Sequence, residues 1–395
     1  MKILRITTAI LLGFSFILKP QELAHSTCGG FDYEAYPAYS FFAPLSFSDW
    51  INLDHPNDDT QQDNIKAWQE YFANQVPEAD IAYLVYEAPA EDLLAARQGK
   101  TPASLSGNAV VAYCQQRAKS QILDYLYYAK RCEPHALYDD VWNNTPRDLE
   151  HMQQLIIEGQ QTYHNPSLDS FLKLRYAYQT IRMAHYAKQY RRAVELYDQL
   201  AAPLFDQSTD IIRYWALAHR AGALQWLGQR AEAAYLFSRV FEECPSKQIS
   251  SFLSFEIKTD SEWQQCLALC QNDEEKINLY FMRALGQHNR VAEEMRNIYA
   301  LNPQSEKLDF LLVREINKLE NSLLDADLKQ NLLFINSYQA FPEQEAIKQL
   351  MEVKGVISEF LKDQKLARPD LWQLADGYLE YVAGNPQRHS TCLLS

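Results

Sequence analysis

Histidine is the first residue type to consider, because catalytic bases and metal sites so often use it. The nine histidines are scattered along the chain, and none lies in a His-Glu-x-x-His pattern. His185 and His219 fall on the first helices of two successive predicted hairpins, so we expect them to be neighbours. A packing or surface role is favoured for both over a role as ligand or base. The sequence also has no Gly-x-Ser-x-Gly turn and no glycine-rich phosphate loop. No catalytic residue is predicted.

Adjacent carboxylates recur along the chain, at Asp139–Asp140, Glu242–Glu243 and Glu274–Glu275. Two facing carboxylates can hydrolyse a glycosidic bond. Adjacent residues of a helix do not face each other, however, so we expect these pairs to point into solvent. A carboxylate-based hydrolase is therefore only the weakest alternative.

An acidic cluster precedes the first predicted helix, at Asp54, Asp58, Asp59 and Asp63. Calcium prefers such oxygen ligands, but the EF-hand spacing and its central glycine are absent. We expect Asp63 to cap a helix that begins at Asn64. The sequence predicts neither a metal nor a cofactor.

The most distinctive local string runs from Arg314 to Glu320 (Arg-Glu-Ile-Asn-Lys-Leu-Glu). Ile316 and Leu319 form an apolar stripe, and Glu315 can pair with Lys318 one helical turn away. The favoured interpretation is a polar ladder that ties two helices together. The alternative is a recognition patch in a groove.

The seven cysteines show no spacing typical of a zinc site or a disulfide framework. Cys266 and Cys270 share a helix face, but the Cβ directions of a helix do not suit a bridge between them. We expect most of the cysteines to be small buried residues. An odd count leaves at least one free thiol.

A repeated helical pattern supplies the elements that would position any site. Both repeats carry a small residue, an aromatic four residues later and an aliphatic three residues after that: Ala193, Tyr197 and Leu200, then Ala233, Phe237 and Val240. Small side chains let helices approach closely, and large ones fill the gap beside them. With only 12 glycines, the pattern predicts an all-α, right-handed α-solenoid of tetratricopeptide-like (TPR-like) helix pairs.

The predicted organisation has five parts. Residues 1–26 read as a secretory signal peptide, with Lys2 and Arg5 before an apolar run, and Ala24 and Ser26 at the spacing that signal peptidase prefers. An uncleaved anchor and lipidation at Cys28 are the alternatives. An aromatic-rich irregular segment follows at 27–62, then an N-terminal helical region at 63–163. TPR-like repeats occupy 164–303, and 304–395 holds C-terminal helical repeats that end incomplete.

The formal net charge is −14, which disfavours nucleic acid as a partner because phosphate backbones are repelled. The charge is distributed along the chain rather than concentrated in one tail. Once the signal is cleaved, no integral membrane span is expected.

Several short motifs together resemble a family. They are Thr-Cys-Gly-Gly at 27–30, Tyr-Ser-Phe-Phe-Ala-Pro at 39–44, the Asn64…Trp68…Tyr71-Phe72 helix, Tyr-Ala-Lys-Arg-Cys-Glu at 128–133, and the Arg314–Glu320 string. In this order they resemble a group of large uncharacterised exported bacterial proteins with TPR-like helices. The group's members are longer, and no catalytic residue is established for them. By fold analogy, the resemblance implies protein or peptide binding on a concave face.

The sequence therefore predicts an exported scaffold, periplasmic or associated with the cell envelope, that binds a protein or peptide rather than catalysing a reaction. The groove is expected on the first helices of the pairs, at Tyr178, Arg182, His185, Tyr214, His219 and Arg220. A glycan- or peptidoglycan-binding module is the main alternative, since the chain has 24 Tyr, 18 Phe and 7 Trp.

Overall fold

The computed structural model describes residues 56–136, 147–286, 290–323 and 342–383, all within one compact unit. Several predictions lie outside the described residues: the signal peptide 1–26, the aromatic segment up to residue 55, lipidation of Cys28, the acidic pair at 139–140 and the incomplete C-terminus beyond residue 383.

Regular structure in the described residues is entirely helical. The first helices are α1 Pro56–Tyr71, α2 Glu78–Ala82, α3 Ala90–Arg97, α4 Ala109–Gln116, α5 Ser120–Cys132, α6 Leu149–Tyr163, α7 Ser170–Tyr186, α8 Tyr190–Leu196 and α9 Ala202–Phe205. The later ones are α10 Ile212–Trp226, α11 Arg230–Glu243, α12 Gln248–Ser254, α13 Asp260–Ala268, α14 Asp273–Gly286, α15 Val291–Leu301, α16 Glu306–Leu323, α17 Glu343–Asp363 and α18 Pro369–Val382. The predicted all-α fold is confirmed for this part of the chain.

Neighbouring helices pack in pairs. Helix α7 packs on α8, α10 on α11 and α14 on α15, while α16, α17 and α18 contact one another. First helices of successive pairs also touch, since α7 packs on both α5 and α10. The repeat positions Ala193 in α8 and Ala233 in α11 are buried, together with Tyr197 and Phe237.

Two predicted helix boundaries are wrong. Helix α1 begins at Pro56, so Asp63 lies inside the helix and does not cap it. Instead, Asp63 Oδ2 accepts a hydrogen bond from the Ser246 backbone at 3.3 Å. The helix predicted over Asn108–Cys132 is divided into α4 and α5 by Ala118, whose φ is 54°. Alanine normally favours helix interiors, so the residue type at position 118 gives no signal that the helix breaks there.

The described cysteines behave as predicted. Cys114, Cys132, Cys244 and Cys266 are buried, and these four and Cys270 are unbridged. Burial raises the pKa of the Cys114 and Cys132 thiols to about 12. They are therefore protonated packing residues rather than nucleophiles.

Candidate ligand-binding face

A stripe of aromatic and basic side chains follows α7. Phe171, Arg175, Tyr178, Arg182 and His185 are separated alternately by four and three residues, the spacing that places side chains on one helix face. Their sequence periodicity therefore defines a continuous surface along α7.

A second stripe runs along α10 with the same spacing, through Trp215, His219, Gly222 and Trp226. Because α7 packs on α10, the two stripes adjoin. The ring of Tyr178 lies 5.7 Å from that of Trp215 and 5.8 Å from that of His219.

The two predicted histidines are neighbours. The rings of His185 and His219 lie 5.2 Å apart, and His185 Nδ1 is 3.1 Å from the His219 carbonyl oxygen. Gly222 leaves room for this arrangement, since an added Cβ there would approach His185 Cε1 to 2.8 Å. This contact fits the packing role that the sequence favoured for His185.

Helix α1 covers the N-terminal half of the α7 stripe. The Trp68 ring packs 4.9 Å from Phe171. The Arg175 guanidinium lies 4.6 Å from the Trp68 ring, donates to Asn64 Oδ1 at 2.7 Å and pairs with Asp210 Oδ2 at 3.3 Å. In the covered half, the cation thus has both an aromatic partner and a carboxylate.

The C-terminal half of the stripe stays partly accessible. We call it the α7–α10 face and define it by Tyr178, Arg182, His185, Trp215, His219 and Lys247. Tyr178 and Trp215 are buried, while the other four are half-buried. In this group, the Arg182 guanidinium lies over the Tyr178 ring and the Lys247 ammonium lies over the Trp215 ring.

No ion pair with a carboxylate is found for the cations of this face within the described residues. Arg182 Nη1 reaches only Gln179 Oε1, at 3.4 Å, and its guanidinium lies 5.8 Å from the Tyr178 ring. Lys247 Nζ lies 4.9 Å from the Trp215 ring. Both cations thus lack a carboxylate partner in the described part of a chain whose net charge is −14.

Neighbouring positive charge also affects titration here. Burial lowers the pKa of Lys247, and nearby Arg182 contributes in the same direction. Burial likewise holds the pKa of His219 well below its ordinary value, with further lowering by His185, Arg182 and Lys247. His219 is therefore neutral at pH 7.

Arg147 lies at the edge of this face. Its guanidinium is 5.1 Å from the Tyr186 ring, and Nη1 donates to the Tyr186 carbonyl oxygen at 2.9 Å. Its Nε is buried and has no acceptor among the described residues. The Tyr186 ring in turn lies 5.6 Å from the His219 ring.

Two of the six predicted groove residues lie elsewhere. The Tyr214 ring packs 5.2 Å from Phe205. Arg220 pairs with Asp198 Oδ1 at 3.1 Å and with Glu232 Oε1 at 2.9 Å. The structure brings together the other four: Tyr178, Arg182, His185 and His219.

Sequence reasoning missed Trp215, Lys247 and Arg147. Trp215 had a usable signal, because it precedes His219 by one helical turn, whereas Tyr214 is rotated about 100° away. Lys247 and Arg147 lie outside the long helices, so helical periodicity could not find them.

The Arg314–Glu320 string is buried and fits the polar-ladder interpretation. Arg314 of α16 donates to the carbonyl oxygens of Ala284 at 3.5 Å and Leu285 at 2.9 Å, both in α14. Lys318 pairs with Glu315 inside the same cluster. Burial lowers the pKa of Lys318 to about 8.

Glu320 makes stability depend on pH. Burial raises its pKa from 4.5 to about 7, and Tyr378 Oη donates to its carboxyl group. The folded chain therefore keeps a proton that the unfolded chain releases, so stability falls as pH rises from about 4.5 to 7. We expect Glu320→Gln to remove this loss. Its advantage over the wild type in unfolding free energy should grow by about 2.5 kcal/mol between about pH 5 and pH 8.

Urea unfolding at several pH values measures this difference directly. An advantage that stays constant across the range would show that the Glu320 carboxyl titrates alike in the folded and unfolded chain.

Within the described ranges, no group of three or more His, Cys, Asp or Glu is placed to hold a metal ion. None of the helices described is both long enough and apolar enough for a membrane span. Comparison of the chain with protein-family models, curated proteins and solved structures gives no match.

Proposed function

We propose that this chain is a helical scaffold that binds a protein or peptide partner through the α7–α10 face. The observation that carries the proposal is the grouping of the half-buried cations Arg182 and Lys247 over the buried rings of Tyr178 and Trp215, with no carboxylate partner among the described residues. Aromatic side chains and arginine are the residues that most often dominate binding energy at protein interfaces. A scaffold of packed helices keeps such side chains at fixed spacing.

The architecture that we infer is a right-handed, TPR-like solenoid. The contacts of α7 with both α5 and α10 support it, because first helices of successive pairs adjoin in such a stack. This inference rests on described contacts within one compact unit and on the resemblance to exported TPR-like bacterial proteins.

We further infer that the scaffold works outside the cytoplasm, in the periplasm or at the cell envelope. The signal-like residues 1–26 support export. The net charge of −14 argues against nucleic acid as the partner.

Glycan binding is the second candidate function. Trp226 is 71% exposed and stacks on Tyr190, with ring centroids 5.5 Å apart and ring planes within 3°. A flat exposed aromatic pair can pack against a sugar ring as well as against an apolar side chain. Binding of the full chain to purified sacculi or to a glycan array would favour this function over peptide binding.

Site-specific photo-crosslinking in the native envelope tests the proposed function. A photoreactive phenylalanine replaces Trp226 beside the α7–α10 face, and a matched variant carries it at Met351 of α17, which is 70% exposed. We expect one discrete protein adduct from position 226 and none of that mass from position 351. Identical adducts from both positions, or none from position 226, would count against this face as the binding surface.

A further inference from the structure

The two halves of the α7 stripe differ in how positive charge is balanced. In the covered half, Arg175 pairs with Asp210 Oδ2 at 3.3 Å and lies beside the Trp68 ring. In the accessible half, Arg182 occupies the equivalent position seven residues later and lies beside the Tyr178 ring. It has the aromatic partner but, among the described residues, no carboxylate. The covered half therefore indicates which chemical group the accessible half lacks.

Two further basic side chains near this face, Lys247 and Arg147, also suggest that a carboxylate would complete it. Lys247 Nζ lies over the Trp215 ring and forms no ion pair within the described residues. Arg147 has a buried Nε that finds no acceptor among the residues described. Most other arginines of the described chain pair with a carboxylate, as Arg220 does with both Asp198 and Glu232.

We propose that the α7–α10 face is an anion-binding site that receives Asp and Glu side chains of an acidic peptide segment, with Arg182 and Lys247 as the principal contacts and Arg147 at the edge. The inference rests on the proposed function and specifies the chemistry of the partner.

Charge favours an acidic peptide. A guanidinium donates to a carboxylate through two parallel N–H groups, and an ammonium adds a compact point charge. The rings of Tyr178 and Trp215 lie beside these cations and are themselves buried, so the cations rather than the rings would contact the peptide. A long polyanion such as nucleic acid would also meet the acidic remainder of the chain, whose net charge is −14.

Fluorescence anisotropy with the full chain tests the proposal. The probes are a labelled peptide of roughly twelve residues built from Glu-Glu-Leu repeats, and the same peptide with Gln in place of Glu. We expect the acidic peptide to bind at least about tenfold more tightly than its Gln counterpart. This comparison needs no variant, so it holds even if substitutions at the face disturb folding.

A double variant assigns the effect to the face. Arg182→Gln with Lys247→Gln should weaken binding of the acidic peptide by about tenfold or more. The matched control is Arg368→Gln with Lys362→Gln, which removes the same formal charge at two exposed positions, one just before α18 and the other in the last turn of α17. We expect the control to bind like the wild type.

Several outcomes would overturn the inference. They are equal affinity for the Glu and Gln peptides, equal weakening by the control variant, and binding of inorganic phosphate or a uronic-acid oligosaccharide in preference to the acidic peptide. The crosslinking experiment separates this inference from the proposed function. A partner captured at position 226 equally well by the Arg182→Gln, Lys247→Gln chain would leave the scaffold function intact and remove the anion site.

Discussion

Replacing Gly159 by alanine is expected to lower the free energy of unfolding by about 3 kcal/mol or more, since it overpacks a buried contact that cannot yield. An added Cβ would overlap Tyr128 Oη and Thr180 Oγ1, and would approach Tyr128 Cζ to 2.9 Å. Both hydroxyl groups are held in place, because Tyr128 Oη donates to the Leu155 carbonyl oxygen at 3.0 Å and Thr180 Oγ1 to that of Tyr176 at 2.7 Å. Gly159 thus allows α5, α6 and α7 to meet.

The matched control is Gly355→Ala in the middle of α17, where the nearest atom to an added Cβ is Arg296 Nη2 at 3.9 Å. Alanine favours a helix interior by up to about 1 kcal/mol over glycine, so this variant should be as stable as the wild type or more so. Urea unfolding followed by far-ultraviolet circular dichroism measures both. If Gly159→Ala lowered the free energy of unfolding by less than about 1 kcal/mol, then α5, α6 and α7 could move apart easily to admit the methyl group.

Arg175→Met is expected to cost about 3–5 kcal/mol, the usual loss when one partner of a buried ion pair is removed. Arg175 is 1% exposed and joins three elements: Asn64 of α1, Phe171 of its own helix, and Asp210 before α10. Its loss would leave the Asp210 carboxylate buried without a counter-charge. It would also remove the hydrogen bond that holds α1 across the stripe.

Two further variants separate the ion pair from general effects. Lys348→Met, in the exposed pair with Glu352 at 3.8 Å, should change stability by less than about 0.5 kcal/mol. Adding Asp210→Asn to Arg175→Met should recover part of the loss, because the buried charge is removed along with its partner. Strict additivity of the two substitutions would contradict the coupling between Arg175 and Asp210.

The sequence alone predicted the all-α class and the main pairs of packed helices, because these depend on the local spacing of small and aromatic residues. The aromatic and small residues around Ala193 and Ala233 are separated as one helix face requires, and both alanines are buried. The same periodicity predicted that His185 and His219 would be neighbours, since it depends only on their positions in successive hairpins.

Tertiary structure decided which helix face points where. Trp215 and Tyr214 are adjacent in sequence, yet only Trp215 joins Tyr178, because one residue turns a helix by about 100°. Arg182 and Arg220 look alike in sequence, but Arg220 pairs with Asp198 and Glu232, whereas Arg182 meets no carboxylate in the part of the chain that the structure describes.

The coverage of half the α7 stripe by α1 was equally invisible in the sequence. Asn64 and Arg175 are separated by 111 residues, and their hydrogen bond forms only once the intervening helices have packed. Helical periodicity reports which side chains share a face. Whether that face is covered, paired or accessible depends on long-range contacts, and those determine the charge that a partner would meet.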